Sequence, residues 1–227
     1  MKKEPKLTVI FARRKPRGII LRRGPSDWYH LISWNTAKDT FEHGAWFKGR
    51  IYEDKCDLSP DGELFLYFAL KGDWQSSYMG SWTAISRPPW LSALTLWPQG
   101  DTWGGGGCFQ DDRQLSLRGV GATHPDHPLN GLEIVEGNCN KESPRPDIPE
   151  AEWSGYDHSG YEVFTCKGRL YRRLPNGDKE LANFIDLEPS PQEAPQWARA
   201  PLPPLRSGSS NKKSFDHELQ LQKVTAL

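Results

Sequence analysis

Cys56 to Ala69 reads CDLSPDGELFLYFA, and the fold class is decided there. Ser59-Pro60-Asp61-Gly62 has the residues a tight turn needs. Proline presets φ at the second turn position, and glycine accepts a positive φ without steric cost. Leu64, Phe65, Leu66, Tyr67 and Phe68 follow without a break. This run is too short and too aromatic for a helix, and it reads as a strand covered on both faces.

Working outward, similar runs recur between turn signals. Strands are expected over Gly18–Arg22, Trp28–Trp34, Thr40–Phe47, Arg50–Glu53, Glu63–Leu70, Ser81–Ser86 and Leu91–Trp97. Further strands are expected over Gly107–Phe109, Gln114–Arg118, Leu132–Val135, Tyr161–Cys166, Arg169–Arg173 and Glu180–Ile185. Between them stand Gly24-Pro25-Ser26-Asp27, Pro98-Gln99-Gly100-Asp101 and Pro175-Asn176-Gly177-Asp178. Nothing before residue 190 carries a helical period. Ten tryptophans against two methionines add to the strand reading, since tryptophan favours strands and broad flat contacts. The chain is therefore expected to be all-β, as a barrel, sandwich or propeller.

Internal repetition separates these options. Gly49-Arg50-Ile51-Tyr52 recurs as Gly168-Arg169-Leu170-Tyr171, and DLSPDGELFLYF is echoed by YDHSGYEVFTC at Tyr156–Cys166. In both, an aspartate precedes a turn ending in glycine and an apolar strand follows. The pattern from Trp153 to Leu174, together with Asp57–Ala69, resembles blades of the WD40-like and TolB-like β-propellers. The resemblance implies a small or incomplete β-propeller-like arrangement of antiparallel sheets. Residues 5–187 would hold about four or five blades, so a second copy completing the ring and a β-sandwich both stay open.

Composition bounds the partners. The 227 residues carry 29 basic and 29 acidic side chains, a balance that gives no global attraction to nucleic acid or to a membrane surface. The clusters Arg13-Arg14-Lys15 and Arg22-Arg23 read as solvated strand ends. No run reaches the about 20 apolar residues of a membrane span, and Leu7–Ala12 is too short for the core of a signal peptide. The four cysteines form no C-x-x-C pair. They are too few for a disulfide-built scaffold, and Cys108 and Cys166 read as small buried hydrophobes. A soluble cytoplasmic protein is the expectation.

Residues 1–187 are expected to form the propeller-like domain. Residues 188–227 are rich in proline and serine and are expected to form a flexible, disordered tail with a possible short helix over Ser214–Leu227.

Few residues suggest chemistry. Asp57, Asp61, Asp157 and Asp178 sit at repeated turns, where aspartate holds backbone N–H groups. Asp111-Asp112-Arg113 reads as a charged hairpin tip, and His124-Pro125-Asp126-His127-Pro128 as a surface loop. No G-x-S-x-G, H-E-x-x-H or G-x-G-x-x-G pattern occurs, so no catalytic residue, metal ligand or cofactor is assigned. The most unusual stretch is WPQGDTWGGGGCF, Trp97–Phe109. It lacks the Gly-Lys-Ser/Thr of a phosphate loop. Gly105 and Gly106 are instead expected to sit where backbone must approach another group closely. Trp90, Trp97 and Trp103, with Arg87, make the candidate binding residues, because tryptophan and arginine dominate interaction hot spots. The resulting expectation is a non-enzymatic interaction module that presents loops to another protein. Two alternatives stay open. One is a carbohydrate- or small-ligand-binding propeller using the same tryptophans. The other is a hydrolase with its active site in the central channel.

Overall fold

The apolar run at the centre of the sequence becomes strand β7 (Phe65–Leu70), buried on both faces as its composition requires. The computed structural model describes residues 4–139 and 148–205. Among these, sixteen strands form four sheets, with short helical turns only at Glu53–Lys55 and Gln196–Arg199. The sheets do not close into a barrel.

The first sheet is a meander of β1 (Lys6–Phe11), β2 (Arg17–Arg23), β3 (Trp28–Asn35) and β4 (Thr40–Lys48). The second has the order β5 (Arg50–Ile51), β7, β8 (Ser81–Ser86) and β9 (Thr95–Pro98), with β6 (Asp57–Leu58) also paired to β7. The third contains β10 (Gly107–Phe109), β11 (Gln114–Leu117) and β12 (Glu133–Ile134), the last pair being parallel. The fourth is a meander of β13 (Trp153–Tyr156), β14 (Glu162–Cys166), β15 (Arg169–Leu174) and β16 (Gly177–Asn183).

The period of two along each strand decides how these sheets stack. Ile19, Leu21, Tyr29 and Leu31 of the first sheet meet Ile51, Phe65, Tyr67 and Ala84 of the second. The alternate residues Leu7, Val9, Ile20, Ile32 and Trp34 meet Val163 and Leu170 of the fourth. Leu64, Leu66, Ile85 and Trp97 pack on Phe109 and Leu115 of the third. The sheets thus follow in the spatial order fourth, first, second, third. Each fully buried large side chain contributes about 1.5–3 kcal/mol.

Polar ties lock the stack. The buried Arg22 guanidinium donates to the carbonyls of Phe184 (2.7 Å), Ile185 (2.9 Å) and Leu187 (3.0 Å). Arg172 crosses the other way, to Asp39 (2.7 and 2.8 Å) and to the buried Asp157 (2.8 Å).

The turn at Ser59–Gly62 forms as its residues demand. Gly62 has φ +74°, its N–H donates to the Ser59 carbonyl, and the Asp61 carboxylate accepts the Glu63 N–H at 3.0 Å. Asp157 accepts from the N–H groups of Ser159 and Tyr161, and Asp57 from that of Phe109. Asp57, Asp61 and Asp157 therefore hold backbone, whereas Asp178 pairs with the Arg173 side chain at 3.1 Å.

Three expectations are corrected. Cys108 is joined to Cys139 by a disulfide, so it is more than a small buried hydrophobe, and its partner was hidden by a separation of 31 residues. One support for the cytoplasmic expectation goes with it, since disulfides persist in oxidising surroundings. The segment after Leu187 is not wholly extended tail: Ala198 and Leu202 are buried, Leu202 within the core between the second and third sheets. The helix expected over Ser214–Leu227 lies outside the described residues. Finally, β1, β6 and β13 were not anticipated. The apolar piece Leu7–Ala12, weighed only as a leader core, is mostly strand β1. Among the described residues, no helix is long and apolar enough to cross a membrane.

Candidate functional site

The glycine-rich segment leaves β9 and returns as β10, and its geometry is built from the base upward. Gln99 N–H donates to the Ser81 carbonyl at 2.9 Å, and the Ser81 hydroxyl donates to the Asp101 carbonyl at 2.6 Å. The Asp101 carboxylate then accepts the N–H groups of Trp103 (2.9 Å) and Gly104 (3.4 Å), the aspartate-led turn that its side chain favours. From below, the Lys55 ammonium donates to the carbonyls of Thr102 (2.8 Å) and Trp103 (3.4 Å) and also to Gly104. Lys55 lies over the Phe68 ring at 4.7 Å, and desolvation lowers its pKa.

The returning arm is equally fixed. Gly105 N–H donates to the Arg118 carbonyl (2.8 Å) and Gly106 N–H to the Thr83 hydroxyl (2.8 Å). Both glycines are buried with positive φ, +82° and +73°. A Cβ on Gly105 would lie 2.3 Å from the Phe68 ring, and one on Gly106 would lie 2.3 Å from the Lys55 carbonyl oxygen. The close approach expected from four consecutive glycines is found at these two and at Gly107, where a Cβ would lie 2.3 Å from the Ser116 carbonyl oxygen.

This frame holds Trp103 at the tip, 94% exposed. Met79 lies across Gly100 and Trp74 across Gly80, and both are about half exposed (48% and 53%). Three large apolar side chains thus border one loop system. Isolated exposed hydrophobics are ordinary, but grouped ones mark interaction sites.

The other candidate residues go elsewhere. Trp97 is buried in the core between the second and third sheets, and Trp90 is also buried. The tryptophans therefore do not gather on one exposed face. Arg87 holds the C-terminal segment, donating to the Trp197 carbonyl at 3.1 Å and to those of Ala200 and Pro201. Trp103, Gly105 and Gly106 alone among the candidates share one structure. Trp74 and Met79 were not among the candidates read from the sequence. Their signal was available in KGDWQSSYMG, residues 71–80, where large apolar side chains sit in turn chemistry that cannot bury them.

A second feature is a cleft of about 920 Å³ between β1, the Glu53–Asp57 segment and β13. Four acids line it, Glu53, Asp54, Asp57 and Glu152: Glu53 accepts from the Tyr29 hydroxyl (2.9 Å) and from Arg50 (3.2 Å), and Asp57 accepts the Phe109 N–H at 2.8 Å. Burial raises the pKa of Glu152 on the same wall.

The remaining motifs are structural. Arg14 pairs with Asp111 (2.8 Å) and Asp112 at the hairpin tip. His124 is buried, and the loop from His124 to His127 extends β9 through bonds to both backbone groups of Leu96. Among the described residues, no three His, Cys, Asp or Glu side chains are placed to hold a metal ion. No family model matches the chain, and neither a curated protein nor a solved structure matches it.

Proposed function

We propose that this chain is a non-enzymatic protein-interaction module, built on a β-propeller-like scaffold, that presents the Trp103 loop to a protein partner. The observation that carries the reading is a fully exposed tryptophan on a loop whose base is held by Lys55, Asp101 and two buried glycines. Ordering a loop on binding costs free energy, and a loop already ordered avoids that cost. Tryptophan offers the largest apolar contact of any side chain, and central tryptophans dominate interface energetics. Trp74 and Met79 widen the surface around it.

The propeller-like scaffold is supported by the order of strands. β1, β10 and β13 come first in their sheets and stand at a sheet edge. β1 packs against β13 on one side and β6 on the other, and β6 packs against β10. β1 and β13 also line the cleft of about 920 Å³, a placement in keeping with the inner strands of propeller blades.

The hydrolase reading has less support: of the four acids on the cleft, Glu53 and Asp57 already hold Tyr29, Arg50 and the Phe109 backbone, which leaves Asp54 and Glu152 for it.

The test uses affinity capture from the native host, with the wild-type chain and Trp103→Ala as parallel baits. The reading expects a protein that forms a defined complex with the wild type on gel filtration and is lost with Trp103→Ala. Equal capture by both baits would remove Trp103 from the interface. Melting temperature should be the same for both, since Trp103 buries almost nothing in the free chain.

A further inference from the structure

A separate pocket of about 400 Å³ opens between the first and second sheets, within the size range of small-molecule sites. Its walls are aromatic. Phe47 of β4 stands perpendicular to Trp82 of β8, with centroids 6.1 Å apart, and Tyr78 is tilted against Trp82 at 5.8 Å. All three are only partly buried, so ring surface remains for a further contact. The floor is closed by Tyr67, whose hydroxyl is already used on the Leu91 carbonyl at 2.7 Å.

Lys71 and Asp73 also line this pocket, and both are exposed. Neither side chain makes a hydrogen bond or ion pair among the described residues. The opposite charges of Lys71 and Asp73 offset each other, so the rim has no net preference for a cation or an anion. A purely apolar ring would leave the hydrogen-bonding capacity of both rim groups unused. A neutral ligand with adjacent hydroxyl groups meets both demands. Its hydroxyls donate to Asp73 and accept from Lys71, while its C–H face lies on an aromatic ring.

We propose that this pocket binds a single neutral pyranose unit, stacked on the Tyr78–Trp82 wall and held at the rim by Asp73 and Lys71. This site is distinct from the tryptophans first considered for sugar binding, of which Trp90 and Trp97 are buried. It does not depend on the Trp103 loop.

The test is saturation-transfer difference NMR on the full chain with glucose, galactose, mannose and N-acetylglucosamine, and with adenosine as an aromatic comparison. The expected result is saturable transfer to the ring C–H protons of at least one sugar. Asp73→Asn should raise its Kd about tenfold, as for loss of a hydrogen bond to a charged group. That variant alters an exposed side chain, and an unchanged melting temperature will confirm that its fold is intact. Tyr78→Ala should weaken binding as well. The proposal is overturned if none of the four sugars gives saturable transfer, or if only adenosine does. It is also overturned if Asp73→Asn and Tyr78→Ala both leave the Kd unchanged.

Discussion

The Cα of Gly106 faces the backbone of Lys55 so closely that an added Cβ would lie 2.3 Å from the Lys55 carbonyl oxygen. The same lysine holds three carbonyls of the loop that Gly106 closes. Backbone contact and side-chain bonds therefore join the same two segments.

Substitution at the two glycines should be costly. Gly106→Val meets both a positive φ, which β-branched residues rarely adopt, and a fixed backbone oxygen. A loss of about 3 kcal/mol follows from strain combined with overpacking. Gly105→Val meets the Phe68 ring instead and should cost a similar amount. Urea denaturation will show whether they do. A midpoint equal to that of the wild type would mean that the loop relaxes freely and does not hold Trp103 in place.

Leu202 lies far along the chain but in the core between the second and third sheets. Leu202→Ala should lower stability by about 2–4 kcal/mol, the range for a buried leucine. Arg87→Ala should loosen the same segment by removing its bonds to the carbonyls of Trp197, Ala200 and Pro201. Limited proteolysis should then cut within residues 188–205 before it cuts the body. Equal protease resistance in Arg87→Ala and wild type would show that these bonds do not hold the segment.

Acid should destabilise the fold through His30. Its Nδ1–H donates to the Ala45 carbonyl (3.1 Å), its Nε2 pairs with His43 Nδ1 (2.9 Å), and its ring stacks on Trp46. Burial pulls its pKa down to about 4, and burial lowers His43 too. The ordinary histidine value is about 6.5, so between these limits the unfolded chain binds the extra proton. Stability is then full above about 6.5 and falls as pH drops towards 4, by up to about 3 kcal/mol for His30. His30→Gln should flatten this part of the pH–stability curve. An identical slope in the variant would place the acid sensitivity elsewhere.

The Cys108–Cys139 disulfide closes a loop of 31 residues, for which loss of unfolded-chain entropy predicts about 3–4 kcal/mol. Alkylation of the oxidised, denatured chain should label Cys56 and Cys166 and leave the other two unmodified. Cys139→Ser should lower the melting temperature by several degrees, and reductant should have the same effect on the wild type. Four labelled thiols in the untreated protein would show that the bond does not form in the compartment of origin.

Much of the secondary structure was legible in the chain. Ser81–Ser86 and Gly107–Phe109 are strands with the expected limits, and β7 is buried on both faces because Phe65–Leu70 has no polar side to offer solvent. Turn chemistry and a period of two are local properties, and they act before any long-range contact forms. β1 escaped notice because it lies between charged residues and no turn signal announces it, although Leu7 and Val9 are core residues of the stack.

The candidate site divides along the same line. That Gly105 and Gly106 need backbone room follows from four glycines in a row, a local cost that only close approach can justify. Which tryptophan reaches solvent does not follow, because Trp90, Trp97 and Trp103 are chemically alike and their burial depends on which sheets cover them. The stacking of four sheets placed Trp97 in a core and left Trp103 outside. It also brought Cys139 to Cys108, Leu202 to the second sheet, and Phe47 of one hairpin to Trp82 of another. Each of these pairs is separated by tens of residues, and no propensity or spacing along the chain encodes a distance that only packing sets.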